Sequence, residues 1–258
     1  MSLGSSITVF FPAFDDEGSI GALVTEALDI LPCLTDDFEV LIINDGSTDA
    51  TLDVLEDLAR KSTHVRIISH ERNLGYGAAL RTGFSQASKD LVFYTDGDGQ
   101  YKVQELLALH SLLTPAIDVV NGYKEARADE RHRKLLGAAY NRLAHLLFKI
   151  PVRDVDCDFR LMRRHALNQV ELVSSSGVIC VELIHKLRQT GCTFVEIPVC
   201  HYPRMHGRSQ FFTTKRVART AFDLLSMWLR LVVLPGFLPG YGIRQGATGT
   251  PNNQEESA

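Results

Sequence analysis

Leu91-Val92-Phe93-Tyr94-Thr95-Asp96-Gly97-Asp98-Gly99-Gln100 joins an apolar run to a glycine-rich turn that carries two carboxylates. Five consecutive apolar, aromatic or β-branched residues predict a strand buried on both faces of a parallel sheet, and open α/β sheets bind ligands outside the carboxyl ends of such strands. Asp96 and Asp98 fall at that edge. An isolated Asp-Gly-Asp is ordinary turn chemistry. Two carboxylates and the Gln100 amide also suit a hard divalent cation, Mg²⁺ or Mn²⁺, whose shell substrate phosphates and water would complete.

Working outward, the same strand, loop and helix recur. Ile7–Phe11 runs into Pro12-Ala13-Phe14-Asp15-Asp16-Glu17, and Ile20, Leu23, Ala27 and Leu31 follow at helical spacing. Phe38–Ile43 runs into Asn44-Asp45-Gly46-Ser47-Thr48-Asp49, ahead of Leu52, Leu55 and Leu58. A third strand, Val65–Ile68, leads through Gly75-Tyr76-Gly77 into a helix over 78–87. Strands alternating with helices imply right-handed crossovers and a parallel sheet, so these loops gather on one edge. Gly75-Tyr76-Gly77 lacks the third glycine of a dinucleotide fingerprint, and no loop ends in Gly-Lys-Ser/Thr.

Beyond Gln100, Asp118–Tyr123 continues the sheet, and a helix from about Arg131 to Lys149 places Leu135, Ala139, Leu143 and Leu147 on one face. The mixed acids and bases of 154–164 read as a site wall. Val178–Arg188 reads as a helix, Phe194–Val199 as a strand and 202–211 as a polar loop.

A length of 258 residues with 45% hydrophobic and 22% charged residues fits one large α/β domain or two small ones. The net charge of −4 conceals an asymmetry: 7 basic against 19 acidic residues over 1–120, then 19 against 10 over 121–230. An acidic half suited to a cation precedes a basic half suited to phosphates or an anionic membrane. No nucleic-acid reader motif or basic stripe is present, so nucleic acid is not an expected partner. Five cysteines without a Cys-x-x-Cys pair argue against a disulfide framework or zinc ribbon. Met1–Ser6 lacks the basic and apolar regions of a secretory signal, and a cytosolic location is expected.

Taken together, the loops resemble the inverting nucleotide-sugar glycosyltransferases of family 2, which have the GT-A fold, and more closely their dolichyl-phosphate mannose synthase-like, polyprenyl-phosphate branch. Residues 12–17 are similar to the Pro-x-Tyr-Asn-Glu loop of that family, residues 44–49 to its Asp-Asp-Gly-Ser-x-Asp turn, and residues 96–100 to its Asp-x-Asp-x-Gln metal motif. The branch is suggested by Asp156-Cys157-Asp158-Phe159-Arg160, similar to a Gly-Phe-Arg signature, and by residues 204–210, similar to Arg-x-x-Gly-x-Ser-Lys. Asn44, Gly137, Asp158 and Gln210 depart from the pattern, standing where aspartate, serine, glycine and lysine are usual.

The resemblance implies a Rossmann-like, mostly parallel sheet flanked by helices and an Mg²⁺- or Mn²⁺-dependent hexosyl transfer. The donor would be GDP-mannose or a UDP-sugar, with mannose or glucose favoured, and the acceptor a polyprenyl phosphate. A saccharide-directed transferase and a non-catalytic nucleotide-binding module are the alternatives. Asp96, Asp98 and Gln100 would hold the metal. Asp98, Lys124, Arg133 and Arg160 would serve catalysis and the acceptor phosphate. Pro12, Phe14, Asp16, Asp45, Gly77, Asp96, Gly97, Arg204, Arg208 and Ser209 would bind the nucleotide sugar. Glu182 and His206 are read as structural.

The organisation expected is a flexible start at 1–6, the transferase domain at 7–211, an amphipathic helix at 212–240 and a disordered tail at 241–258. In that helix Arg216, Arg219, Asp223, Ser226 and Arg230 recur every three or four residues, leaving an apolar remainder that includes Trp228 and Leu231. About 20 consecutive apolar residues are needed to span a bilayer. The charges and Pro235 make this a helix for the membrane surface, at its cytosolic face, or for packing on the sheet. A second copy or a membrane protein is a further candidate partner.

Overall fold

The structure, a computed structural model, describes residues 5–125, 131–204 and 214–234, and their side chains apart from 131–135 and 214–216. Seven strands form one sheet: β1 (Ile7–Ala13), β2 (Phe38–Asn44), β3 (Val65–Ser69), β4 (Leu91–Thr95), β5 (Val119–Lys124), β6 (Phe159–Arg163) and β7 (Phe194–Val199). Their order is β3-β2-β1-β4-β6-β5-β7. Pairing is parallel between β3, β2, β1 and β4 and between β5 and β7, whereas β6 runs antiparallel to both neighbours.

Alternation along β1 builds two cores. Ile7, Val9 and Phe11 face one apolar layer with α1 (Ile20–Ile30), α2 (Thr51–Lys61) and α4 (Leu106–Leu112). Phe10 faces the other, with α3 (Tyr76–Gln86) and α7 (Ile179–Gln189). Both faces of the parallel half are covered, so its strands read as unbroken apolar runs. A third cluster joins α5 (Arg131–Phe148), α7 and α8 (Thr214–Trp228) through Phe148, Ile184 and Leu224. The short α6 (Arg164–Leu167) completes the helices, and no described helix is long and apolar enough to cross a membrane.

The mostly parallel sheet matches the expectation, and two local readings need correction. Residues 159–163, read as a wall, are β6; Arg160 inside the strand interrupts the apolar run that would have announced it. On α5 the inward residues are Tyr140, Ala144, Leu147 and Phe148, while Ala139 and Leu143 of the expected stripe are exposed. At the last helix, Trp228 of α8 and Leu231 of the π-helical turn that follows it (Leu229–Val233) pack against the third cluster, and Phe222 (69% exposed) and Leu225 (50%) face outward. The expected boundary at 211–212, the tail at 241–258 and His206 lie outside the described residues.

Candidate functional site

β1, β2 and β4 are parallel neighbours, so their carboxyl ends deliver residues 14–19, 45–51 and 96–100 to one place. Asp98 is 7% exposed; its Oδ1 accepts from the Gln100 backbone N–H (3.1 Å) and its Oδ2 from Arg204 Nη2 (2.5 Å). Asp96 Oδ1 accepts from the Tyr76 hydroxyl (2.8 Å), and Oδ2 has no hydrogen-bond partner among the described residues. Gly97 lies so close to β1 that an added Cβ would stand 2.7 Å from the Pro12 carbonyl oxygen, and its own carbonyl accepts from the Ser19 hydroxyl (2.8 Å). The motif and the first loop therefore form one packed unit.

Charge at this edge is unbalanced. Burial, then the Asp158 and Asp98 carboxylates, push Asp96 well above the ordinary carboxylate range. Burial also raises Asp16 to about 6, with Asp98 adding to the rise and the Phe14 N–H opposing it. Carboxylates that repel one another in a half-closed site fit a hard divalent cation, since oxygen ligands and excess negative charge are what such an ion selects. Among the described residues the carboxylates make no ready-formed cluster of three or more for a metal.

The other loop acids are committed to structure. Asp15 N donates to Ser47 Oγ (3.1 Å), Thr48 N to Asp15 Oδ1 (2.7 Å), Ala50 N to Glu17 Oε2 (2.8 Å) and Glu17 N to Asp49 Oδ2 (3.2 Å), lacing loop one to loop two. Asp45 Oδ1 meets His70 Nδ1 (2.6 Å) and the Leu74 N–H (2.9 Å), while Oδ2 takes the Gly75 N–H (2.9 Å). Asp45, expected to receive a base or ribose, anchors the 70–75 turn. Asn44 accepts from the Ser47 N–H (3.1 Å) and so closes its own turn. Pro12 is buried beneath Gly97, and Phe14 is partly exposed at the loop. Gly77 packs on the 174–175 backbone, where a Cβ would meet Ser175 C at 2.6 Å. It shapes the α3 start rather than lining open space.

From the second half, Lys124 Nζ donates to the Asp156 carbonyl (2.8 Å), close enough to Asp96 to favour its ionised form. Arg160 is completely buried below the edge, donating to Asn121 Oδ1 (2.5 Å), the Tyr94 hydroxyl, the Val155 carbonyl and Asp158 Oδ1 (3.4 Å). Asp158 therefore supplies its counter-ion, and this arginine braces the floor of the edge. Gln100 donates Nε2 to the Tyr202 carbonyl (3.1 Å) and accepts from Tyr202 N at its own carbonyl (2.9 Å), bringing Arg204 onto Asp98. The side chains of Arg133, Arg208 and Ser209 lie outside the described residues.

Tyr76, Ser19 and His70 are contributors that sequence reasoning missed. Their partners lie 20, 78 and 25 residues away. The one local signal was Tyr76, an aromatic between two glycines at a helix start.

Comparison with known proteins agrees with this geometry. The family model described as Glycosyl transferase family 2 matches residues 8–171. An undecaprenyl-phosphate 4-deoxy-4-formamido-L-arabinose transferase from Enterobacter sp. (strain 638) is 26% identical over 221 residues, 85% of this chain and 66% of that protein. A dodecaprenyl-phosphate galacturonate synthase from Rhizobium johnstonii is 27% identical over 247 residues, 93% of this chain and 72% of that protein. The chain thus spans about two thirds of the length of these curated relatives. Among solved structures, glucosyl-3-phosphoglycerate synthase from Mycobacterium tuberculosis with Mn²⁺, uridine diphosphate and phosphoglyceric acid superposes with a TM-score of 0.66 at 19% identity, over 87% of this chain and 79% of that one. That likeness is one of fold.

Proposed function

The chain belongs to glycosyl transferase family 2, and from that premise we propose that it moves a sugar, with inversion, from a nucleotide diphosphate sugar to a polyprenyl phosphate. The observation that carries the reading is the packing of the Asp96-Gly97-Asp98 turn against the first loop, where a Cβ on Gly97 would stand 3.3 Å from Asp16 Oδ2 and the Ser19 hydroxyl donates to the Gly97 carbonyl. The polyprenyl-phosphate transferases among the relatives support the acceptor class.

Negative charge grows on the departing diphosphate as the acceptor oxygen attacks the anomeric carbon from the opposite face. A divalent cation, Mg²⁺ or Mn²⁺, would supply Lewis-acid stabilisation of that charge. Asp96 and Asp98 would hold it, with Gln100 setting the turn between them and the Arg204 segment. Phe14 offers a ring for the base, and Asp16 can accept from a ribose hydroxyl or a base N–H. A phosphate monoester has a second pKa of about 6 and needs no general base, so cations serve the acceptor better. Lys124, close enough to Asp96 to favour its ionised form, would serve the acceptor phosphate, and Arg133, Arg208 and Ser209 are assigned by resemblance.

Purified protein with Mg²⁺ or Mn²⁺ and a short polyprenyl phosphate should be tested with GDP-mannose and UDP-glucose first. Donors of the sugars that the relatives' names carry, formamido-arabinose and galacturonate, come next. Transfer to the lipid phosphate is the expected result. Transfer to a saccharide alone would give a glycan-directed enzyme, and metal-dependent nucleotide binding without any transfer would give a binding module.

The surface agrees with a lipid acceptor. Leu143 and Leu146 on α5, Phe222 and Leu225 on α8 and Leu229 just after it are all at least 41% exposed, beside two helices that share the third core cluster. We assign them to peripheral contact with the cytosolic face of a membrane. Changing Phe222 and Leu225 to Ser should abolish flotation with anionic vesicles at unchanged circular dichroism; undiminished flotation would remove the assignment.

A further inference from the structure

The contact between Asp98 and Arg204 joins residues 106 positions apart and ties the metal motif to the segment after β7. Side-chain exposures of 9% and 28% put it at the mouth of the site, not in the core. Three carboxylates surround the guanidinium, with Asp98 in contact and Asp16 and Asp96 nearby. Its hold on them is nevertheless incomplete. Arg204 Nε is buried without a hydrogen-bond partner among the described residues. A planar fork of five donors that uses one nitrogen on a carboxylate and leaves a buried N–H unspent is poised for a second acceptor.

We infer that Asp98 serves two cations in turn, the Arg204 guanidinium while the divalent ion is away and the divalent ion once a diphosphate draws Arg204 off. The inference rests on the metal-dependent reading above. A hard cation needs the same carboxylate oxygens, and a dication and a guanidinium repel each other if both approach Asp98 Oδ2. The paired Gln100 and Tyr202 contacts fix the backbone at residue 202, so an exchange of partners by the Arg204 guanidinium needs only rotation of its side chain. A diphosphate offers the planar acceptor pair that suits Arg204, including its idle Nε. Metal and nucleotide then help each other through Arg204, because a ligand that removes the competitor strengthens its rival's site, and such coupling is reciprocal.

The test has a sign that a structural or simple phosphate-binding role would not give. Mn²⁺ binding to the protein alone, followed by electron paramagnetic resonance, should be about 5-fold tighter in Arg204→Gln, and UDP should tighten Mn²⁺ binding less in this variant than in wild type. Arg204→Met should repeat both effects, which guards against a folding defect in either variant. Asp98→Asn should lose Mn²⁺ binding. Equal or weaker Mn²⁺ binding in folded Arg204→Gln and Arg204→Met would overturn the inference, as would absence of Mn²⁺ binding from every form. Because sugar and acceptor are left out, a wild type that shows the Mn²⁺ pattern yet transfers no sugar breaks the functional reading and leaves this inference standing.

Discussion

Asp96 at the end of β4 is a partly buried carboxylate and Glu182 in the first turn of α7 a completely buried one, and their surroundings pull them in opposite directions. Glu182 is completely buried, yet it accepts from the Val173 N–H (3.1 Å) and Ser174 N–H (2.9 Å) and pairs with Lys186 (2.7 Å). Burial alone would raise it, but Lys186 and Ser174 hold it below the ordinary range. Asp96 has one hydroxyl donor and two carboxylates for company, and it rises. A buried acid whose lone pairs are filled by the protein is architecture; one left short of positive charge belongs to a site that a ligand completes.

The comparison can be broken most decisively at Asp98. Asp98→Ala should cut sugar transfer by about 100- to 1,000-fold, the scale of losing one charge-stabilising group, and leave the urea midpoint near that of wild type. A large loss of stability instead would class the motif with Glu182. Glu182→Ala should do the reverse, costing about 3 kcal/mol in urea unfolding because the part-buried Lys186 loses its counter-ion and the Val173 and Ser174 N–H groups lose their acceptor. A variant as stable as wild type would show that the pair is not structural.

Titration separates the two groups by sign. Asp16, raised to about 6 in the metal-free protein, keeps its proton in the folded state after the unfolded chain has lost it, so stability falls as pH rises from about 4 to 6. The fall should be about 1 to 3 kcal/mol, absent in Asp16→Asn. Glu182 is lowered from 4.5, so its contribution is present above that value and fades as pH drops below it. Urea unfolding at stepped pH in both variants checks the opposite slopes. The smallest effect belongs to Tyr76→Phe. It should weaken metal-dependent UDP binding by about 1 kcal/mol, one hydrogen bond to a charged group, at unchanged melting temperature. Unchanged binding would mean that Asp96 needs no orientation.

Much of the fold was legible because β1, β2 and β4 are covered on both faces and therefore appear as continuous apolar runs ending in loops. The carboxylate edge followed, since parallel neighbours put their carboxyl ends together. β6 was not legible: Arg160 belongs to a strand only because Asn121, Tyr94, Asp158 and the Val155 carbonyl satisfy it, and those residues are scattered through the chain. For the same reason the internal partners of the 44–49 turn were hidden. Nothing local says that Asp45 will spend its oxygens on His70 and the 74–75 backbone. The face of α5 was misjudged because leucines lie on both its sides, and only its neighbours α7 and α8 decide which are covered.

The antiparallel strand has a consequence for how the molecule is made. β6 sits between β4 and β5, so after Thr95 leaves the ribosome β4 can pair with β1 but has one open edge until residue 159 follows. At about 5–20 residues per second that interval is roughly 3 to 13 s. During it an apolar strand ending in the carboxylate turn offers unpaired N–H and C=O groups to any passing chain. Tyr94, the hinge between Arg160 and Asp158, waits through the same interval. The newborn chain therefore carries its aggregation hazard at the root of its functional edge, and the strand that ends the hazard also lays the floor beneath that edge.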